Sequence, residues 1–69
     1  MFEERLYQLR RERGISQEEL ANIIGVSRQA VQKWESGASQ PNMDNLVAIS
    51  AYFGVTLDYL LKGDEPGWD

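Results

Sequence analysis

The chain has 69 residues, a formal net charge of −4, no cysteine and no histidine. A chain of this length is one domain that buries only roughly 60% of its unfolded surface, and it has no disulfide, no thiolate or imidazole metal ligand, and no Cys or His nucleophile or base. Its longest apolar run is LVAI (Leu46 to Ile49), and the opening MFEERLYQLRRERG has no apolar signal core, so neither a membrane span nor secretion is indicated and a reducing, cytoplasmic location is expected.

Phe2, Leu6, Leu9 and Arg13 recur at helical spacing, which predicts a first helix whose apolar stripe ends at the stop Gly14. Ser16 followed three residues later by Glu19 is a capping box, with each side chain taking an unpaired backbone N–H of the other. It starts a second helix that turns Leu20, Ala21 and Ile24 inward and closes at Gly25, a residue suited to positive φ. Ser27 then caps a third helix with Val31 and Trp34 inward, closed by Gly37. Because Trp34 follows Val31 by three positions, the tryptophan is expected in the core and not as a base-stacking platform.

The segment Ala38 to Pro41 is a polar loop. Asn42 can cap a fourth helix with Leu46, Ile49, Ser50 and Phe53 on one face, stopped by Gly54, and Thr56 can cap a short fifth helix carrying Leu57, Leu60 and Leu61. Within YFGVTLDYLL, Tyr52, Val55 and Tyr59 favour a strand, but Gly54 and the leucine spacing favour helix. The fold class expected is therefore all-α, a compact five-helix bundle, with residues 1–62 as the domain and GDEPGWD (Gly63 to Asp69) as an acidic tail or a linker.

About three residues around Gly25 join the second and third helices, the spacing of a helix-turn-helix, whose second helix enters the DNA major groove. Ala21 is small where the two helices cross, and Val31 and Trp34 face inward. Arg28, Gln29, Gln32 and Lys33 are left facing outward. The net charge argues against a nucleic-acid partner, yet its distribution weakens that objection. Residues 10–43 hold Arg10, Arg11, Arg13, Arg28 and Lys33 against four glutamates, and the acidic excess lies at the two ends.

Over residues 5–62 the sequence resembles the Cro and phage-repressor-like helix-turn-helix domains, also called the XRE family. The resemblance is carried by LRRERGISQEELA (Leu9 to Ala21), GVSRQAVQKWESG (Gly25 to Gly37), Pro41, Leu46 and FGVTLDYLL (Phe53 to Leu61). It implies a lambda-repressor-like fold and a recognition helix over Ser27 to Glu35, with Arg28, Gln29, Ala30 and Lys33 facing base edges. The chemistry agrees: Arg or Lys donates to guanine O6 and N7, Gln pairs with adenine N6 and N7, and an alanine methyl suits the thymine methyl.

The resemblance further implies phosphate contacts from Gln17, which opens the second helix and is also expected to support the recognition helix, from Ser27 and Gln32, and from a second region comprising Ser36, Ser39, Gln40, Asn42 and Met43. Many relatives carry Lys or Arg in that region. This chain has none there, so its grip on phosphate is expected to be modest and shallow in salt. Arg10 and Glu35 match a family ion pair that ties the first helix to the end of the third. The dimer surface implied is Val55, Thr56, Leu57 and Tyr59.

One recognition helix reads too few base pairs to select a single site among roughly 10⁶ or more genomic competitors, so a homodimer on a palindromic operator is expected, with half-sites about 34–36 Å apart. The function expected is transcriptional regulation, most simply repression, on double-stranded DNA, with no cofactor, metal or membrane. An enzyme is not expected, since hydroxyl groups without a histidine and a small core supply neither a base nor a pocket. The competing reading makes the polar stripe a solvated helix face and the chain an antitoxin-like or regulatory protein-binding module, using Tyr7, Val55, Tyr59 and Trp68 to hold a partner protein; the tail GDEPGWD is either a true end or a linker to a missing C-terminal domain.

Overall fold

The computed structural model describes residues 2–62, which form α1 (Phe2–Arg13), α2 (Gln17–Ile24), α3 (Arg28–Ser36), α4 (Met43–Phe53) and α5 (Leu57–Lys62), with no strand among them. Hydrogen-bonded caps set the boundaries. Ser16 Oγ accepts from the Glu19 backbone N–H at 3.0 Å while Glu19 Oε1 accepts from the Ser16 N–H at 2.7 Å, a complete capping box for α2. Ser27 Oγ accepts from Ala30 N–H, Asn42 Oδ1 from Asn45 N–H and Thr56 Oγ1 from Tyr59 N–H, each at 2.9–3.1 Å. Because Ser27 is extended (φ −78°, ψ 156°), α3 runs one residue later at each end than the expected Ser27 to Glu35. Over Tyr52 to Leu61, the leucine spacing and the Thr56 cap outweigh the strand-favouring aromatics, and the segment is helix, turn, helix.

Gly25 makes the turn between α2 and α3 possible. Its φ of +91° lies in the left-handed region, and its N–H and that of Val26 both donate to Ala21 C=O, at 2.8 and 2.9 Å. The chain thereby reverses within the few residues from Gly25 to Ser27, which lays α3 against α2.

Each helix contributes one completely buried aliphatic side chain: Leu6, Leu20, Val31, Ile49 and Leu60. Full burial of such a side chain is worth about 1.5–3 kcal/mol. Phe2, Ala21, Trp34, Leu46 and Phe53 complete the core, and Leu9, Ile15, Ile24, Val26, Ala30, Val55 and Leu57 pack partly against it. The α1 stripe differs from expectation at one place. Arg13 is exposed, its guanidinium over the Tyr52 ring, whereas Arg10, one turn beyond Leu6, is the buried cation. Leu61 is likewise on the surface, because Leu60 and Leu57 supply the inward face of α5. The tail 63–69, and Trp68 within it, lie outside the described residues.

Candidate nucleic-acid interface

Helix α3 presents two chemically opposite faces. Val31 and Trp34 are buried, fixing the helix rotation, while Arg28, Gln29, Gln32 and Lys33 are exposed. Ala30 is half-buried and packs against the core, so it offers less surface than its polar neighbours. Ser27 is exposed, with its hydroxyl oxygen engaged in the cap, and Ser36 donates its hydroxyl to Lys33 C=O at 3.1 Å. After Gly37, Ser39, Gln40, Asn42 and Met43 form a continuous exposed stretch broken only by the buried Pro41.

The cations divide sharply. Among the described residues, all four α1 arginines are engaged internally: Arg5 donates to Tyr59 Oη at 2.7 Å, Arg10 pairs with Glu35, Arg11 donates to Tyr7 Oη at 2.6 Å, and Arg13 donates to Tyr52 C=O. No Lys or Arg occurs from Trp34 to Leu61. Arg28 and Lys33, both exposed on α3, are thus the cations of the helix-turn-helix without a side-chain partner among the described residues.

Beneath that face lies an ion-pair network. Arg10 Nε donates to Glu35 Oε2 at 2.7 Å and Arg10 Nη2 to Glu35 Oε1 at 3.0 Å, a bidentate pair with both side chains at least nine-tenths buried. Arg10 Nη1 donates to Ile15 C=O at 2.9 Å. The hydrogen bond to Glu35 raises the Arg10 pKa further above its ordinary value, against the opposing effect of burial. Gln17 Nε2 joins this network by donating to Glu35 Oε1 at 3.1 Å. The two residues lie 18 positions apart, beyond the reach of helical spacing, and their contact ties the start of α2 to the last turn of α3.

Above the network is an open cleft of about 370 Å³ lined by Arg10, Ser16, Gln17, Glu18 and Arg28. It joins the first turn of α2, whose N–H groups and dipole favour an anion, to the first residue of α3. Of the residues implied for a dimer surface, Thr56 is exposed, Val55 and Leu57 pack partly against the core, and Tyr59 is half-buried beneath Arg5, whose guanidinium lies 4.2 Å from its ring centroid. Among the described residues, the large apolar side chains on the surface are Tyr7, Ile23, Met43, Val47 and Leu61. Among the described residues no cluster of acidic, His or Cys side chains suits a metal ion, and no helix is long and apolar enough to cross a membrane.

A family model described as helix-turn-helix matches residues 6–60. The chain is 52% identical over 64 residues to the HTH-type transcriptional activator BcrR of Enterococcus faecalis, covering 93% of this chain and 31% of that protein. It is 41% identical over 61 residues to repressor protein C2 of Salmonella phage P22, covering 88% of this chain and 28% of that protein. The chain thus spans about a third of the length of each of these relatives. Its fold matches the crystal structure of the P22 c2 repressor protein in complex with synthetic operator 9T, with a TM-score of 0.89, 39% identity, and coverage of 93% of this chain and 97% of that one.

Proposed function

The chain belongs to the Cro/C1-type helix-turn-helix family, and from that premise we propose that it is a sequence-specific regulator of transcription that reads double-stranded DNA with α3. One observation carries the proposal. Arg28, Gln29, Gln32 and Lys33 stand exposed on the face of α3 opposite the buried Val31 and Trp34, and two of them are the unpartnered cations of the helix-turn-helix. A rigid helix edged with polar donors and free charge suits a major groove, where Arg28 or Lys33 selects guanine and Gln29 selects adenine. Ala30 offers its half-buried methyl to a thymine. Gln17, Ser27, Gln32, Ser36, Ser39, Gln40, Asn42 and Met43 surround that helix as phosphate contacts, from side chains or backbone N–H groups.

The reading includes a homodimer formed through the surface around Val55, Thr56, Leu57 and Tyr59, because one helix specifies too short a site. The regulatory outcome proposed is repression. Occupying a promoter blocks it by binding alone, whereas activation needs a further contact with the transcription machinery.

Selection of duplexes from a randomised library at moderate salt tests the proposal. An inverted repeat should emerge, and the preference at single positions should relax in Arg28→Ala and Gln29→Ala. A folded chain that enriches nothing would instead favour the protein-binding module, and a strict monomer on the selected duplex would remove the dimer.

A further inference from the structure

Glu35 is a carboxylate set beside a residue proposed to meet a phosphate, an arrangement that at first sight repels the ligand. Its surroundings resolve the conflict. Glu35 Oε1 accepts from Gln17 Nε2 at 3.1 Å and from Arg10 Nη2 at 3.0 Å, while Glu35 Oε2 accepts from Arg10 Nε at 2.7 Å. The bidentate arginine cancels the carboxylate charge at short range and occupies one acceptor site on each oxygen, leaving Oε1 a further lone pair for Gln17.

A free glutamine amide presents either its oxygen or its nitrogen by a rotation that costs little. An ionised carboxylate accepts hydrogen bonds and donates none, so the amide edge facing Glu35 is the NH₂. That choice commits Gln17 as a donor and leaves its second N–H for a further acceptor. With the opposite rotamer, the amide oxygen would face the Glu35 carboxylate and no hydrogen bond would form. Gln17 also lines the cleft that Ser16, Glu18 and Arg28 share.

We propose that Glu35, neutralised by Arg10, is a positioning residue for DNA binding: it fixes the Gln17 amide as a donor to a backbone phosphate at the start of α2. This rests on the DNA-binding reading above. It gives the buried ion pair a role in recognition apart from its role in holding α1 to α3, and it explains how a chain with no Lys or Arg from Trp34 to Leu61 holds one phosphate with a neutral but pre-oriented group.

The test is a cycle of variants on the duplex selected above. Gln17→Ala should weaken binding about tenfold in the natural sequence, the size of a hydrogen bond to a charged group. In the Arg10→Met, Glu35→Leu background, which replaces the pair with apolar side chains of similar volume, the same change should cost less than about twofold, because the amide is already unoriented. Equal losses in both backgrounds, or no loss in the natural sequence, would overturn the proposal. Should the double replacement not fold, NMR of the Gln17 side-chain amide in the natural protein decides. An ordered NH₂ supports the proposal and a freely rotating one overturns it. Failure of the DNA-binding reading is distinct, since the folded natural chain would then bind no duplex at all.

Discussion

Arg10 and Glu35, 25 residues apart, meet as a bidentate pair with Nε–Oε2 at 2.7 Å and Nη2–Oε1 at 3.0 Å, joining α1 to the last turn of α3. Both ends are buried, so removing one leaves an uncompensated charge that costs about 3–5 kcal/mol. Arg10→Met should therefore lose most of the stability of so small a domain, and Arg10→Met with Glu35→Leu should recover most of it. Urea unfolding of the three proteins checks this; a single-variant loss under about 1 kcal/mol would contradict the burial.

The same pair predicts how stability responds to pH. Because the Arg10 pKa is raised, its contribution holds from neutrality up to the ordinary arginine range and, on the alkaline side, is lost only as pH rises through that range and beyond. The chain has no histidine, the side chain that would otherwise titrate near neutrality. Unfolding free energies measured at about pH 6 and about pH 9 should agree to within roughly 1 kcal/mol.

Gly25 holds φ at +91°, and a Cβ built there meets nothing within 4 Å. The cost of Gly25→Ala is thus conformational and not steric, about 1–2 kcal/mol. Gly25→Asn should cost less, since asparagine visits the left-handed region more readily. Thermal unfolding of the two variants in parallel would show the order; equal losses would mean that the turn has relaxed to another geometry.

Removing the α2 cap gives a smaller effect. Ser16→Ala deletes the acceptor for Glu19 N–H and should destabilise the domain by about 1 kcal/mol. Leu60→Ala, at a completely buried site in α5, should cost about 2–5 kcal/mol. A Leu60→Ala loss no greater than that of Ser16→Ala would show that α5 is not part of the cooperative core.

The distribution of free cations sets the salt response. At about −0.9 per neutralised phosphate, Arg28 and Lys33 make the slope of log K against log salt no steeper than about −2 per protomer even with both drawn towards phosphates, and shallower with both on base edges, while neutral donors add affinity and no slope. Filter binding or anisotropy across a salt series measures this. A slope near −5 per protomer would mean that the α1 arginines leave their internal partners on DNA.

Much of the fold was legible locally. The Ser16 and Glu19 box, the Ser27, Asn42 and Thr56 caps and the glycine stops satisfy backbone groups within three or four residues of themselves, so the sequence alone locates the helix ends to within a residue. The inward and outward faces of α3 follow from the spacing of Val31 and Trp34 in the same way. Local spacing misassigned the α1 stripe, where Arg13 looked like its continuation and Arg10 is the buried residue, because a periodic pattern cannot tell which polar side chain will find a buried partner.

What the sequence by itself determined is therefore everything that depends on neighbours a turn apart: five capped helices, a two-helix motif with a fixed turn, and a polar face on the second of those helices. Tertiary structure alone decided which cationic side chains are held by internal partners and which extend freely. Arg5 on Tyr59, Arg13 on Tyr52, and Arg10 with Gln17 on Glu35 join residues 18 to 54 positions apart. Their energies depend on distance and burial, which exist only once the five helices have packed. The same packing leaves Arg28 and Lys33 exposed on α3, and so gives a chain of net negative charge a small cationic patch on that helix.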